Sequence, residues 1–128
     1  MSWKMVFCLR RLPAIDAEEF SRYWREEHAA LFRQYADVLA VRRYTQSHRL
    51  PGGMNDALRA HRGAPEAFDG VAEVWFDSLE ELRAAVSSAQ GRAAADALIA
   101  DERRFIDHAS SPIWIAEEIE IPLPDQNG

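Results

Sequence analysis

Four histidines, His28, His48, His61 and His108, are the side chains in this sequence that titrate near neutral pH without a large perturbation. His28 stands out by its spacing. It follows Trp24 by four residues and Phe20 by eight, so on a helix all three share the apolar side and the imidazole points at the core. A polar ring in that position needs a partner, which fits either a satisfied core histidine or a pocket. Burial favours a neutral imidazole, the form a general base requires. His48 closes a predicted strand, His61 lies in a long interruption and His108 follows the last helix; each, taken alone, reads as solvated. Asp101 and Asp107 flank Phe105. Asp101 reads as a surface partner of Arg103 or Arg104, although either aspartate could also lie beside His28.

Other chemistries lack their residues. There is no helical His-x-x-x-His pair and no His-Glu-x-x-His, so no metal is expected. Gly52-Gly53 is not a phosphate-binding loop, and no Gly-x-Gly-x-x-Gly follows a strand. The serines sit in no nucleophile elbow, and the single cysteine, Cys8, is an inert thiol in mid-strand that excludes an intrachain disulfide. By elimination, any catalysis uses acid–base groups in a small apolar cavity with no bound cofactor. Phe7, Trp24 and Trp75 are candidates for its walls.

The elements that must position these groups follow from patterning. Residues 3–9 carry β-formers and bulky apolar side chains on both faces, as a covered central strand does. Leu12-Pro13 ends it. Asp16 with Glu19 reads as a capping box, and Phe20, Trp24, Leu31 and Tyr35 predict a helix over about 16–36. A second strand is predicted at 39–48, with Tyr44, Gln46 and His48 on one face. The glycine- and proline-rich segment 49–70 reads as a long loop bordering the pocket. A third strand follows at 71–77, then a short helix capped by Ser78 and Glu81, a second helix over about 89–107 and a last strand at 113–121.

The order β-α-β-β-α-α-β is that of a split β-α-β, ferredoxin-like fold: an α+β domain over residues 1–121 with helices on one face of an antiparallel four-stranded sheet. Residues 122–128 form a tail. The isoleucines of the last strand are expected on the helix-free face, where they would join two sheets in a homodimer.

Composition narrows the partners. With 48% apolar and 28% charged residues the chain is ordinary globular protein, which excludes disorder. Fifteen basic against twenty-one acidic residues leave a net charge of −6, the wrong sign for a nucleic-acid binder. The early apolar run Met5–Leu9 is too short for a signal-peptide core or a membrane span, so no membrane partner and a cytoplasmic location are expected.

Four stretches, FCLRRLPAIDAEEFSRYWREEHAALF, LAVRRYTQSH, FDGVAEVWFDSLEEL and DERRFIDHASSPIWIAEE, together resemble the EthD family of dimeric α+β barrel proteins over roughly residues 4–121. The Tyr-Trp-Arg-x-x-His and Phe-Asp-Gly-x-x-Glu-x-Trp-Phe segments are the specific parts. The resemblance implies a cavity between helices and sheet. It also places His28 and Tyr44 at positions where a histidine and a tyrosine line that cavity in similar cofactor-free isomerases. A loop histidine of those proteins corresponds to either His61 or His48, and their loop cysteine has no match. On this basis His28 and Tyr44 are the expected catalytic pair, with Phe7, Trp24, Gln46, His48, His61 and Trp75 around a small apolar or aromatic substrate. The implied activity is a dehydration, isomerisation or cyclisation. An oxidoreductase or oxygenase-assisting role in ether or aromatic degradation, and a dimeric binding protein without turnover, are the alternatives.

Overall fold

The computed structural model describes residues 2–125; Met1 and the last three residues of the expected 122–128 tail lie outside the described residues. Four strands, β1 (Ser2–Leu9), β2 (Arg43–His48), β3 (Gly70–Phe76) and β4 (Ile113–Glu118), form one sheet in the order β2-β3-β1-β4. Every pairing is antiparallel. The helices are α1 (Ala17–Tyr23), α2 (Ala29–Tyr35), α3 (Gly53–Arg62), α4 (Leu79–Ser87) and α5 (Ala89–Glu102). This is the ferredoxin-like α+β fold that the element order predicts. Among the described residues no helix is long and apolar enough to cross a membrane.

Pleating assigns the faces. Directly paired residues project to the same side, so Met5 and Phe7 of β1 share a face with Ala72 and Val74 of β3 and with Tyr44 and Gln46 of β2. That face takes the helices: Phe7, Leu9, Phe20, Trp24, Ala72, Phe105 and Ile106 make the main core, with Leu39, Ala94 and Leu98 in a second cluster. The opposite face carries Lys4, whose ammonium bridges Glu73 and, at 3.1 Å, Glu118, and Trp75, over which the Arg43 guanidinium stacks at 4.4 Å.

The isoleucines of β4 correct one expectation. Ile113 pairs with Phe7 and Ile115 with Met5, so both face the helix side, and it is Trp114 that projects from the open face beside Val6. Ile113 and Trp114 are 52% and 46% exposed, because an edge strand has a neighbour on one side only.

The helical caps form as the sequence predicts on the donor side. Asp16 Oδ1 accepts from the Glu19 amide at 2.8 Å and Ser78 Oγ from the Glu81 amide at 3.1 Å. The Glu19 side chain instead holds Arg22. Several element boundaries differ from expectation, among them the end of the last helix, at Glu102 rather than 107, and of the last strand, at Glu118 rather than 121. The predicted 16–36 helix is interrupted by a π turn at Trp24–His28. The predicted 49–70 loop contains α3, closed by Gly63 in the left-handed region at φ 58°. The second strand starts at Arg43, because residues 36–41 close α2 with Leu39 N–Tyr35 O and Val41 N–Ala36 O bonds.

Ala40 occupies the left-handed region in that closure, at φ 59°. A Cβ is unfavourable there and glycine is not. Ala40→Gly is therefore expected to stabilise the protein by about 0.5–1 kcal/mol, read as a higher urea midpoint at unchanged slope.

Candidate active site

The site is set by the π turn. Widening the helix by one residue puts the Ala29 amide, rather than that of His28, on the Trp24 carbonyl. Trp24 and His28 are then both turned inward, 1% and 4% exposed. The Trp24 carbonyl also accepts Gln46 Nε2 from β2 at 2.9 Å, which ties the turn to the sheet.

His28 faces a carboxylate from the far end of the chain. Its Nδ1 lies 2.8 Å from Asp101 Oδ2 at the end of α5, and the other Asp101 oxygen accepts the Tyr23 hydroxyl at 2.6 Å. Burial, and then this hydrogen bond to Asp101, push the Tyr23 pKa up to about 12, so the phenol stays a donor. Beside a carboxylate, Nδ1 carries the proton of the neutral imidazole and Nε2 carries the lone pair. Among the described residues Nε2 has no hydrogen-bond partner and no buried side-chain nitrogen or oxygen lacks one, so Nε2 is open to the cleft that His28 lines. The sequence had favoured a surface ion pair for Asp101. Arg104 is indeed near, but at 3.9 Å on the exposed flank.

A second chain of hydrogen bonds runs along β2. Gln46 Nε2 donates to the Tyr44 oxygen at 2.8 Å, Gln46 Oε1 accepts from His48 Nε2 at 2.8 Å, and His48 Nδ1 accepts from the Ser21 hydroxyl. Burial raises the Tyr44 pKa, against the opposing pull of donors from Gln46 and Trp24, so Tyr44 keeps its proton. The Tyr44 ring stacks on Phe32 at 4.1 Å. His48 lies against the Trp24 ring at 4.4 Å, and burial, then the Arg25 charge, hold it below the usual imidazole value.

The depressed His48 gives a pH signature. An unfolded chain binds this proton at pH 6.5 while the folded chain still resists it. Stability is expected to fall as pH drops below 6.5 toward the folded-state value. The fall should be smaller in His48→Gln, measured by denaturant unfolding across pH 5–8.

These groups converge on a cleft between helices and sheet. Its inner compartment, about 60 Å3, is lined by Phe7, Trp24, His28, Phe32, Tyr44, Glu102 and Ile113, among others. It adjoins a more apolar compartment of about 190 Å3, lined by Leu39, Val41, Phe76, Leu82 and Leu98, with Met5, Phe32, Val74, Glu102 and Ile113 common to both. A larger hollow of about 720 Å3 lies under α3, between Arg49 and Ala67. It is an open notch without a buried titratable group, so the cleft at His28 is the better candidate.

Of the expected residues, His28, Tyr44, Phe7 and Trp24 line the cleft, and Gln46 and His48 support it from behind. Trp75 does not reach it, since strand parity turns it to the open face, where its indole donates to Glu118 at 3.2 Å. His61 is exposed on α3, and no residue of 49–70 lines either compartment. Sequence reasoning missed Tyr23, Glu102 and His108 as participants. Glu102 Oε1 holds His108 Nε2 at 3.0 Å, and the His108 ring stacks with Phe7 at 6.3 Å. No sequence signal singles them out, since the pattern predicts a helix running on to about 107 and Asp101-Glu102 end α5 only in the structure. Among the described residues no cluster of three His, Cys, Asp or Glu side chains is arranged to hold a metal ion.

Comparison with known proteins gives the family and the fold. The EthD domain profile matches residues 12–109, a span that includes His28, Tyr44 and Asp101. No curated protein matches the chain. Among solved structures, an ethyl tert-butyl ether D (EthD) family protein of Bacillus halodurans is 21% identical, with a TM-score of 0.61 over 93% of this chain and 100% of that one. An EthD-like protein of Ralstonia eutropha is 18% identical, with a TM-score of 0.55 over 100% and 99% of the two chains. A dimeric protein of ferredoxin-like fold from Bacteroides fragilis is 13% identical, with a TM-score of 0.56 over 91% and 96%. At these identities the structural likeness concerns the fold, and it is the profile match across most of the chain that shows the protein to be a member of the EthD domain family.

Proposed function

We propose that this protein is a small enzyme that moves protons on an apolar or aromatic small molecule, in a dehydration, isomerisation or cyclisation, using its own side chains. The observation that carries this reading is His28: a buried imidazole with Nδ1 on Asp101 and Nε2 open to an apolar cleft. Nε2 takes a proton from an activated carbon or hydroxyl of the substrate. Asp101, braced by Tyr23, stabilises the imidazolium that forms. Tyr44 keeps its proton and offers it to the oxyanion that develops, while the Gln46 amide supports the phenol oxygen. Such a positioned acid–base pair is worth about 10²–10⁴-fold. The oxidative alternative has less support, because Trp3, Trp75 and Trp114 line neither compartment. The test is proton transfer itself: oxygen-free incubation with enolisable phenolic ketones in deuterated water, with exchange at carbon followed by NMR.

The protein is further read as a homodimer joined through the open sheet faces, as a dimeric relative of the same fold suggests. The face presents Val6, Val71 and the half-exposed Trp114 around the Lys4–Glu73–Glu118 cluster. Two chains of 14.6 kDa should sediment at about 29 kDa. Trp114→Glu, which places a charge in that apolar patch, should shift the species to monomer. A wild-type monomer at micromolar concentration would rule the dimer out.

A further inference from the structure

Glu102 is the one carboxylate that both compartments share. Its side chain is 17% exposed, and only Oε1 is engaged, with His108. Among the described residues Oε2 has no partner and is not a buried atom left unsatisfied, so it is accessible at the junction. No lysine or arginine lines either compartment among the described residues. An anion entering the cleft would lose its hydration beside a carboxylate and meet no countercharge. A hydroxyl at the same place would donate to Oε2, and a hydrogen bond to a charged acceptor is the strong kind. The 190 Å3 compartment beyond it holds about six water-sized groups, enough for a short alkyl arm or one ring.

We propose that Glu102 determines specificity: the cleft selects neutral molecules that carry a hydroxyl at the junction and an apolar arm in the larger compartment, and it rejects anions. The assignment rests on the reading of this cleft as the substrate site. It is distinct from the proton transfer at His28, because it concerns which molecules bind.

Two probes of similar shape separate the possibilities, 4-butylphenol and 4-butylbenzoate, titrated calorimetrically into the full chain at pH 7.5. Wild type is expected to bind the phenol at least about tenfold more tightly than the benzoate. In Glu102→Gln the gap should close to within about threefold, by weaker phenol binding and stronger benzoate binding. His61→Gln, on the exposed α3 away from both compartments, should leave the gap unchanged. If Glu102→Gln fails to fold, Glu102→Asp keeps the charge but draws it back by one methylene, and should lose phenol affinity while still rejecting benzoate. Equal binding of the two probes by wild type, or a gap that survives Glu102→Gln, overturns the assignment and leaves the acid–base reading to be judged by deuterium exchange. Binding of neither probe overturns the assignment together with the substrate site on which it rests.

Discussion

His28→Ala is expected to lower proton transfer by about 10²–10⁴-fold while the chain remains folded. The loss follows from removing the only imidazole nitrogen open to the cleft. The cost in stability is bounded, because Asp101 keeps its Tyr23 partner when His28 is gone. One missing hydrogen bond and a small cavity amount to about 1–3 kcal/mol, less than the 5–15 kcal/mol typical of a domain. Geometry also selects the control. Since Nδ1 is the atom bound to Asp101, His28→Asn can restore that bond through its amide without supplying a base at the Nε2 position. Asparagine should recover stability and leave activity lost. If it recovers both, the histidine is a structural hydrogen-bonding group and the catalytic reading fails.

Gly70→Ala is expected to destabilise the protein by about 1–3 kcal/mol or more. A Cβ at this position would lie 2.4 Å from Cζ3 of Trp24 and 2.8 Å from the Ser47 carbonyl oxygen. The ring is fully buried and the carbonyl belongs to a paired strand, so neither yields cheaply. Moving Trp24 also moves a wall of the cleft and the carbonyl that holds Gln46. Trp24→Phe shortens the ring, and in the double variant should return part of the lost stability, a coupling that denaturant unfolding of both single variants and the double variant measures. Strict additivity would show that Trp24 is not what the extra methyl meets.

Local signals carried most of the fold. Asp16 and Ser78 mark helix starts that form as capped ends, and the alternation around Phe7 and Val74 fixes the buried face. Signals failed where the deciding contact was remote or weak. Asp101 is 73 residues from His28, and nothing in the spacing of either residue records the other. The face of β4 was not legible because an edge strand leaves Ile113 and Trp114 almost equally exposed, so hydrophobicity could not choose between them. Helix α3 was hidden by the glycines and the proline that flank it, although Met54, Ala57 and Leu58 recur at helical spacing, and the fold leaves it without a buried residue. In the site, His28 and Tyr44 were legible as helix phase and family pattern. Glu102 was not, since a glutamate at a helix end ordinarily belongs to solvent.

The π turn makes the angular setting of His28 depend on a single surplus residue. Loss of one codon between Trp24 and His28 would let the helix close as a continuous α-helix, with the Ala29 amide still on the Trp24 carbonyl and both flanks keeping their direction, so that only the turn itself tightens. The chain would keep its caps, the directions of both flanking helices and nearly all of its length, and the change would fall on the imidazole, drawn one residue closer to Trp24 and turned about the helix axis. Length variation here is therefore a change of aim: descendants one residue shorter in this helix would be expected to share the scaffold and to have given up, or relocated, the proton-handling nitrogen.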